Sequence, residues 1–455
     1  MKGDYNTITG NTVNDNHEGI RIDTSSDYNF IGGNIINDNE IVGVRLENSD
    51  YNNFTGNTAN GNSNGIFLET DSNYNYIAGN IFNNNMYGME IFYSNFNSII
   101  GNTANDNTEY GITLEGCSNN TISGNKIYNN KDTGIDLDEE CVYNDITENI
   151  LRNNSLGIYF DPNCNNNSIY QNFFLENGKH AEDDGTDNTW NSTSIGNYWD
   201  NWTSPDVDPN DGIVDDPYTY IGGSPGNIDY LPIAEDGAPS VTINSPTSSD
   251  VFGVTAPSFD VTITDDYLDS MWYTIDGGIN NYTFIENGII NQTAWAAKTE
   301  GSVTITFYAS DIPGNIGIDE VSVVKDTTAP IIVINSPTDG EEFGTQAPFF
   351  NITVTENNLD VMWYSFDGGV TTFAIINNTV FNQTAWTALP EGDVTITFYA
   401  RDLAGNEASE AVTVVKIAAG LDPGIIITIV VVSIAGGVAV AAVIFIYLKK
   451  RASPN

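Results

Sequence analysis

Six acidic side chains recur at one position of a repeating unit: Asp23, Glu47, Glu69, Glu115, Asp138 and Asp161, with Phe92 interrupting the series. Asp136 stands two residues before Asp138, and Glu139 and Glu140 follow it. Carboxylates stacked at close spacing repel one another unless water, salt, turn N–H groups or bound cations intervene. Calcium favours clustered oxygen ligands. Glu115, Asp136, Asp138 and Asp161 are therefore read as a solvated acidic edge, with a weak calcium strip as the alternative. Glycoside hydrolysis also needs two placed carboxylates, which Asp136, Asp138 and Asp161 could supply. The basic residues of this region, Lys2, Arg21, Arg45, Lys126, Lys131, Arg152 and Lys179, are scattered without register, so no lyase-like base stands out.

A second oxygen-rich run holds Asp206, Asp208, Asn210 and Asp215 around Gly212. Alternating oxygen side chains before a glycine suit a calcium loop, although the glycine comes one place later than in an EF-hand. The whole chain carries 61 Asp+Glu against 14 Lys+Arg, a net charge of -47. Such a surface repels phosphate backbones, which excludes nucleic acid as a partner, and attracts cations.

The element that must position these groups is a repeat of about 23 residues. Asn6, Asn29, Asn52, Asn75, Asn97, Asn120, Asn144 and Asn167 mark one column, and a second asparagine follows five residues later each time, from Asn11 to Asn172. A Gly-apolar pair recurs from Gly19-Ile20 to Gly157-Ile158. Apolar residues alternate at period two, as in Ile112 and Leu114, which is strand spacing. Short strands, fixed turns and this period describe the coils of a right-handed parallel β-helix. Stacked asparagines can form amide ladders that satisfy turn groups, so these columns are structural. Cys117, Cys141 and Cys164 continue a column occupied earlier by Ser26, Ser49, Ser72 and Ser94. They are expected to be stacked, buried thiols. Neighbouring rungs would allow one disulfide, leaving at least one free thiol. Neither His17 nor His180 joins the column to make a metal site.

Past Asp187 the period fades into Trp190, Tyr198, Trp199 and Trp202, which could cover the open helix end; an aromatic sugar platform is the alternative. The coils, the Gly196-Asn197-Tyr198-Trp199 run, the acidic stretch to Asp216, Pro217-Tyr218 and Asp229-Tyr230 together resemble the NosD-type β-helix family, over about residues 1–234. That family belongs to a wider group of carbohydrate-binding and sugar-hydrolase β-helices. The resemblance implies a right-handed helix and saccharide binding. NosD itself is tied to copper delivery; His17, His180, Met86 and Met89 make no copper constellation here, so that role is not carried over.

Residues 240–326 and 331–417 match at an offset of 91 without gaps: Met271-Trp272-Tyr273 aligns with Met362-Trp363-Tyr364, and Asn291 to Trp295 with Asn382 to Trp386. About 85 alternating residues suit an Ig-like sandwich, and the tryptophans are expected in its core. They resemble the Ig-like modules of prokaryotic surface proteins. Residues 424–448 carry no charge and are followed by Lys449-Lys450-Arg451. About 20 apolar residues span a bilayer as a helix, and flanking positive charge stays cytoplasmic. This predicts a single-pass cell-membrane protein with residues 1–423 outside and 449–455 inside. Asn-x-Ser/Thr sites at Asn53, Asn281, Asn291, Asn351 and Asn382 are glycan candidates on an exported chain. Met1 runs into the repeat without an apolar leader, so a truncated or misassigned start is expected.

The predicted architecture is mainly β: parallel β-helix with cap (1–234), Ig-like modules (240–326 and 331–417), transmembrane helix (424–448) and tail (449–455). The expected function is a non-enzymatic surface protein binding saccharide or surface-layer components, calcium being the one cofactor foreseen. A surface-tethered polysaccharide hydrolase, lyase or epimerase is one alternative, and a structural or adhesive rod another.

Overall fold

The computed structural model describes residues 2–207, 209–418, 425–429 and 444–448. The chain divides into two units, residues 1–240 with two short later segments, and the remainder.

The first unit is a parallel β-helix. Each coil contributes one strand to an eight-stranded sheet beginning at Thr7–Thr9 and one to a nine-stranded sheet beginning at Glu18–Ile22. A third wall is a four-stranded sheet from Lys126–Tyr128 to Tyr198–Trp199, extended toward the N-terminus by the parallel bridges Thr12↔Ile35↔Thr58↔Ile81↔Thr103↔Lys126. Identical positions stack: Ile66, Met89, Ile112, Ile135 and Ile158 pair in register and point inward. Ile31, Phe54, Ile77, Ile99, Ile122, Ile146 and Ile169 face them from the eight-stranded sheet, and the continuous core they form stabilises coils that could not stand alone.

The asparagine columns are ladders. The backbone N–H and side-chain amide of Asn57 both donate to Asn80 Oδ1, at 2.8 and 2.9 Å, while Asn80 Nδ2 donates to Phe54 O at 2.9 Å. The same bonds join Asn52 to Asn75 and Asn120 to Asn144 to Asn167. A third ladder, Asn39 to Asn62 to Asn85, lies five residues beyond the second and obeys the same period. The Gly-apolar marker reflects crowding: a Cβ on Gly111 would lie 2.6 Å from Gly134 O. On the outside, Tyr5, Tyr28, Tyr51, Tyr74 and Phe96 stack with centroids 5.0–5.2 Å apart and planes within 6°.

Cys117, Cys141 and Cys164 are buried free thiols. The backbone N–H of Ser94, Cys117 and Cys141 each points at the sulfur of the next rung, as Ser26 N–H points at Ser49 Oγ. Trp190 and Trp199 form the lid and are almost wholly buried. Each indole N–H meets a buried carboxylate, Asp183 for Trp190 and Asp229 for Trp199, both at 3.0 Å. Phe174, Trp199 and Tyr218 stack at 4.1–4.3 Å. Rings closed in this way make a lid, not a sugar platform; Trp202 alone of the four stays half-exposed.

Residues 240–325 and 331–416 each fold into a two-stranded and a five-stranded sheet around one core, with a single-turn helix. Trp295 and Trp386 are fully buried. Beneath each lies a buried lysine, Lys325 or Lys416, whose ammonium caps carbonyls at the end of that helix, including Trp295 O at 3.0 Å and Trp386 O at 2.8 Å. The expectation that all four module tryptophans are core is corrected for Trp272 and Trp363. Strand alternation sends Tyr273 and Tyr364 inward and leaves these tryptophans half-buried on the outer face, stacked on Tyr308 and Tyr399 at 5.3 Å.

Within the predicted membrane span, Ile425–Ile429 and Ile444–Leu448 are strands paired antiparallel, in keeping with their β-branched composition; the rest of 424–448 and the tail lie outside the described residues. No helix among the described residues is long and apolar enough to cross a membrane.

Candidate functional surface on the nine-stranded sheet

Period-two alternation turns one set of side chains of the nine-stranded sheet outward. Strand register aligns them in three columns. The central one runs Arg21, Arg45, Phe67, Glu90, Thr113, Asp136, Tyr159 and Glu182. On one side lie Asn64, Tyr87 and Tyr110, and on the other Glu47, Glu69, Phe92, Glu115, Asp138 and Asp161.

The two ends of this face differ in charge balance. On the early rungs Arg21 Nη2 pairs with Glu47 at 2.6 Å, and Arg45 pairs with Glu69 and with Glu18, the latter at 3.1 Å. Between the rungs of Asn64 and Tyr159 the three columns contain no Lys or Arg. Asp136 sits at the centre of this uncompensated half and is only 7% exposed. Thr113 Oγ1 donates to its Oδ2 at 3.3 Å. Burial, followed by the charge of Asp138, pushes the Asp136 carboxyl up to about 7. Burial and the charges of Glu139 and Asp138 raise Glu115, and burial with Asp138 raises Asp161 against the Asn163 N–H that favours its charged form. Burial and Asp136 push the Tyr110 hydroxyl up to about 12, and burial with Asp184 does the same for Tyr159. Tyr87 and Tyr110 lie 5.7 Å apart, and both stay half-exposed with Tyr159.

Beside the acidic column a cleft of about 850 Å³ is lined by Tyr93, Gly116, Glu139, Glu140, Asn163 and Asn165. Tyr93 donates its hydroxyl to Glu139 across two rungs. The result is a shallow, carboxylate-rich and tyrosine-lined strip, able to accept hydrogen bonds and to donate a proton from Asp136 near neutral pH.

Glu115, Asp136, Asp138 and Asp161 thus share one face. The Asp206 loop is held by its own carboxylates: Gly212 N–H donates to Asp206 Oδ2 at 2.8 Å and Val207 N–H to Asp215 Oδ2 at 3.1 Å, with Asn210 exposed and Asp208 outside the described residues. Among the described residues, carboxylates converge in threes at Asp236, Asp265 and Asp311, and at Asp326, Glu356 and Asp402. Glu356 and Asp402 stand 91 residues after Asp265 and Asp311, so the module alignment was the signal for them. Asn291 and Asn382 cap the two short helices, accepting from Ala294 N–H and Ala385 N–H at 3.0 Å. Asn281 and Asn351 are exposed, and Asn53 lies half-buried in a strand.

A family model described as periplasmic copper-binding protein (NosD) matches residues 1–103 and 70–204. No curated protein matches the chain. Among solved structures, the periplasmic alginate epimerase AlgG is 20% identical, with 40% of this chain and 49% of that one covered, at a TM-score of 0.37. The mannuronan C-5 epimerase AlgE6 A-module of Azotobacter vinelandii is 15% identical over 40% and 57% of the two chains, at a TM-score of 0.34. The CbhA fibronectin(III)-like modules of Clostridium thermocellum are 15% identical over 40% of this chain and 96% of that one, at 0.27. The chain spans about half the length of the two epimerases. The NosD match falls on the coiled residues and agrees with the parallel β-helix reached from their strand pairing.

Proposed function

We propose that this chain is a cell-surface protein that holds saccharide against the outer face of the nine-stranded sheet without cleaving it. One observation carries the reading: Tyr87, Tyr110 and Tyr159 stand half-exposed around the buried, hydrogen-bonded Asp136 on the outer face of the sheet. Aromatic rings offer apolar surface to sugars, and carboxylates accept from their hydroxyls. In this reading the duplicated modules are Ig-like spacers, and the uncharged run before Lys449 is a single membrane anchor that leaves residues 1–423 outside.

Incubating the full chain with neutral, acidic and basic polysaccharides, with and without calcium, tests this through retention and through new chain ends. Retention without new ends is expected. A hydrolase, lyase or epimerase is the second reading, favoured by Asp136, whose carboxyl is held near pH 7 where it can exchange a proton. New chain ends lost in Asp136→Asn would establish a hydrolase or lyase instead, and inverted uronate residues in an uncut chain, lost in the same variant, would establish an epimerase.

A further inference from the structure

The half of the outer sheet face between Asn64 and Tyr159 is built differently from the half before it. In the early rungs the same columns hold arginines, and every carboxylate there has a cationic neighbour: Arg21 for Glu18 and Glu47, Arg45 for Glu18 and Glu69, Lys2 for Asp23. The scaffold therefore accommodates neutral pairing at these positions. Beyond Asn64, Glu90, Glu115, Asp136, Asp138 and Asp161 occupy the columns with no basic residue among them. Glu109 and Asp132 flank them on one side, where they act on Tyr110, and Lys131 stands exposed in the turn before the Asp136 strand. Burial raises each of Glu90, Glu115, Asp136 and Asp161, and a nearby like charge adds to it: Glu69 for Glu90, against the Asn64 amide that donates to it, Glu139 and Asp138 for Glu115, and Asp138 for Asp136 and Asp161. A cation over these columns would favour their charged forms.

We infer that the polymer this face takes is cationic: a glycan carrying free amino groups, and not a polyuronate. The inference rests on the saccharide-binding reading above and names its substrate class. An ammonium placed over Asp136 or between Glu115 and Asp138 gains charge-assisted hydrogen bonds. The tyrosine rings add the attraction of their π-faces for a cation and apolar area for the sugar ring. Rungs repeat at about 4.8 Å, close to the length of one pyranose. Alternate sugars of a β-1,4-linked chain face the same way, and Glu90 and Asp136 stand on alternate rungs of the central column, as do Glu115 and Asp161 beside it. A polyuronate would bring like charge against the same columns.

The test uses the full chain with four probes: a β-1,4-linked glucosamine hexamer, its fully N-acetylated counterpart, an oligogalacturonate and an oligolysine, each in low and high salt. The glucosamine hexamer is expected to bind about ten-fold or more tighter than the N-acetylated one, and salt is expected to erode that preference. Asp136→Asn with Asp138→Asn should abolish the preference. Glu115→Gln, at a partly exposed edge, should weaken it even where the double variant folds poorly. Glu40→Gln, which removes a carboxylate outside the face, should leave it intact. Equal binding of the two hexamers, or tighter binding of oligogalacturonate, overturns the inference and leaves saccharide binding standing. Binding of oligolysine alone, abolished by the same variants, overturns it in favour of a basic peptide. Failure of every glycan to bind sinks the saccharide reading with it.

Discussion

The Thr113 hydroxyl reaches across one rung to Asp136 Oδ2 at 3.3 Å, and that bond favours the charged carboxylate. Burial outweighs it. Asp136 lies in register between Thr113 and Tyr159, and the Asp138 charge adds to the desolvation, so the carboxyl stays protonated well above its ordinary range.

A stability profile follows from this. With a folded-state value of about 7 against an ordinary 3.8, folding favours the protonated acid. That contribution is fully present below the unfolded value and is lost as pH rises from about 4 through 7, on the order of 4 kcal/mol in all. Asp136→Asn should flatten much of the decline and exceed the wild type in stability above neutral pH. Asp229, raised to about 6, retains a decline of the same sign over a narrower pH window. Denaturant melts of both proteins at pH 5 and 8 check it, and parallel curves would refute the assignment.

The ladders predict position-dependent costs for one substitution. Asn80 is 1% exposed and serves two donors of Asn57 and the carbonyl of Phe54. Asn80→Ala orphans them in the interior, at about 3 kcal/mol or more. Asn6 is exposed, and water can replace its bonds, so Asn6→Ala should cost less than about 1 kcal/mol. Equal losses in urea melts would show that the ladder is not what holds the turns.

The cysteine column makes a chemical prediction. Serine fills the same place in four earlier rungs, accepting the same backbone N–H. Cys141→Ser should therefore stay within about 1 kcal/mol of the wild type, while Cys141→Val leaves the Cys117 N–H unpaired and should cost about 2 kcal/mol. The three thiols should react with a thiol reagent only at the rate of unfolding, and fast labelling of the folded chain would contradict their burial.

How much of this was legible in the sequence depends on whether a feature repeats along the chain or arises across it. The coils, two asparagine ladders, the Ser-to-Cys column and the paired modules all declare themselves through fixed spacing. The third ladder through Asn62 and Asn85 keeps the same spacing, but the abundance of asparagine in the turns between columns hides it in the sequence. The Tyr28–Tyr51–Tyr74 stack sits at left-handed turn positions, which read as loop. The outward direction of Asp136 was readable from Ile135 and Leu137 on either side. Its burial was not, because the tyrosines around it lie on other rungs, more than 20 residues away in the chain.

Two glycine columns separate steric from conformational demand. Gly111 has ordinary backbone angles, and a Cβ there would meet Ile127 Cγ2 at 2.5 Å and Gly134 O at 2.6 Å. Neither neighbour can retreat without opening the stack, so Gly111→Ala should cost about 3 kcal/mol. Gly101 has φ 61° and nothing within 4 Å of a built Cβ. Glu148 and Gln171 hold the equivalent place in later coils at φ 58°, so this turn already tolerates side chains. Gly101→Asn should cost less than about 1 kcal/mol, since asparagine enters the left-handed region readily. Thermal melts of the two variants should differ by several degrees, and a reversed order would mean that the turn, not the interior contact, limits the coil.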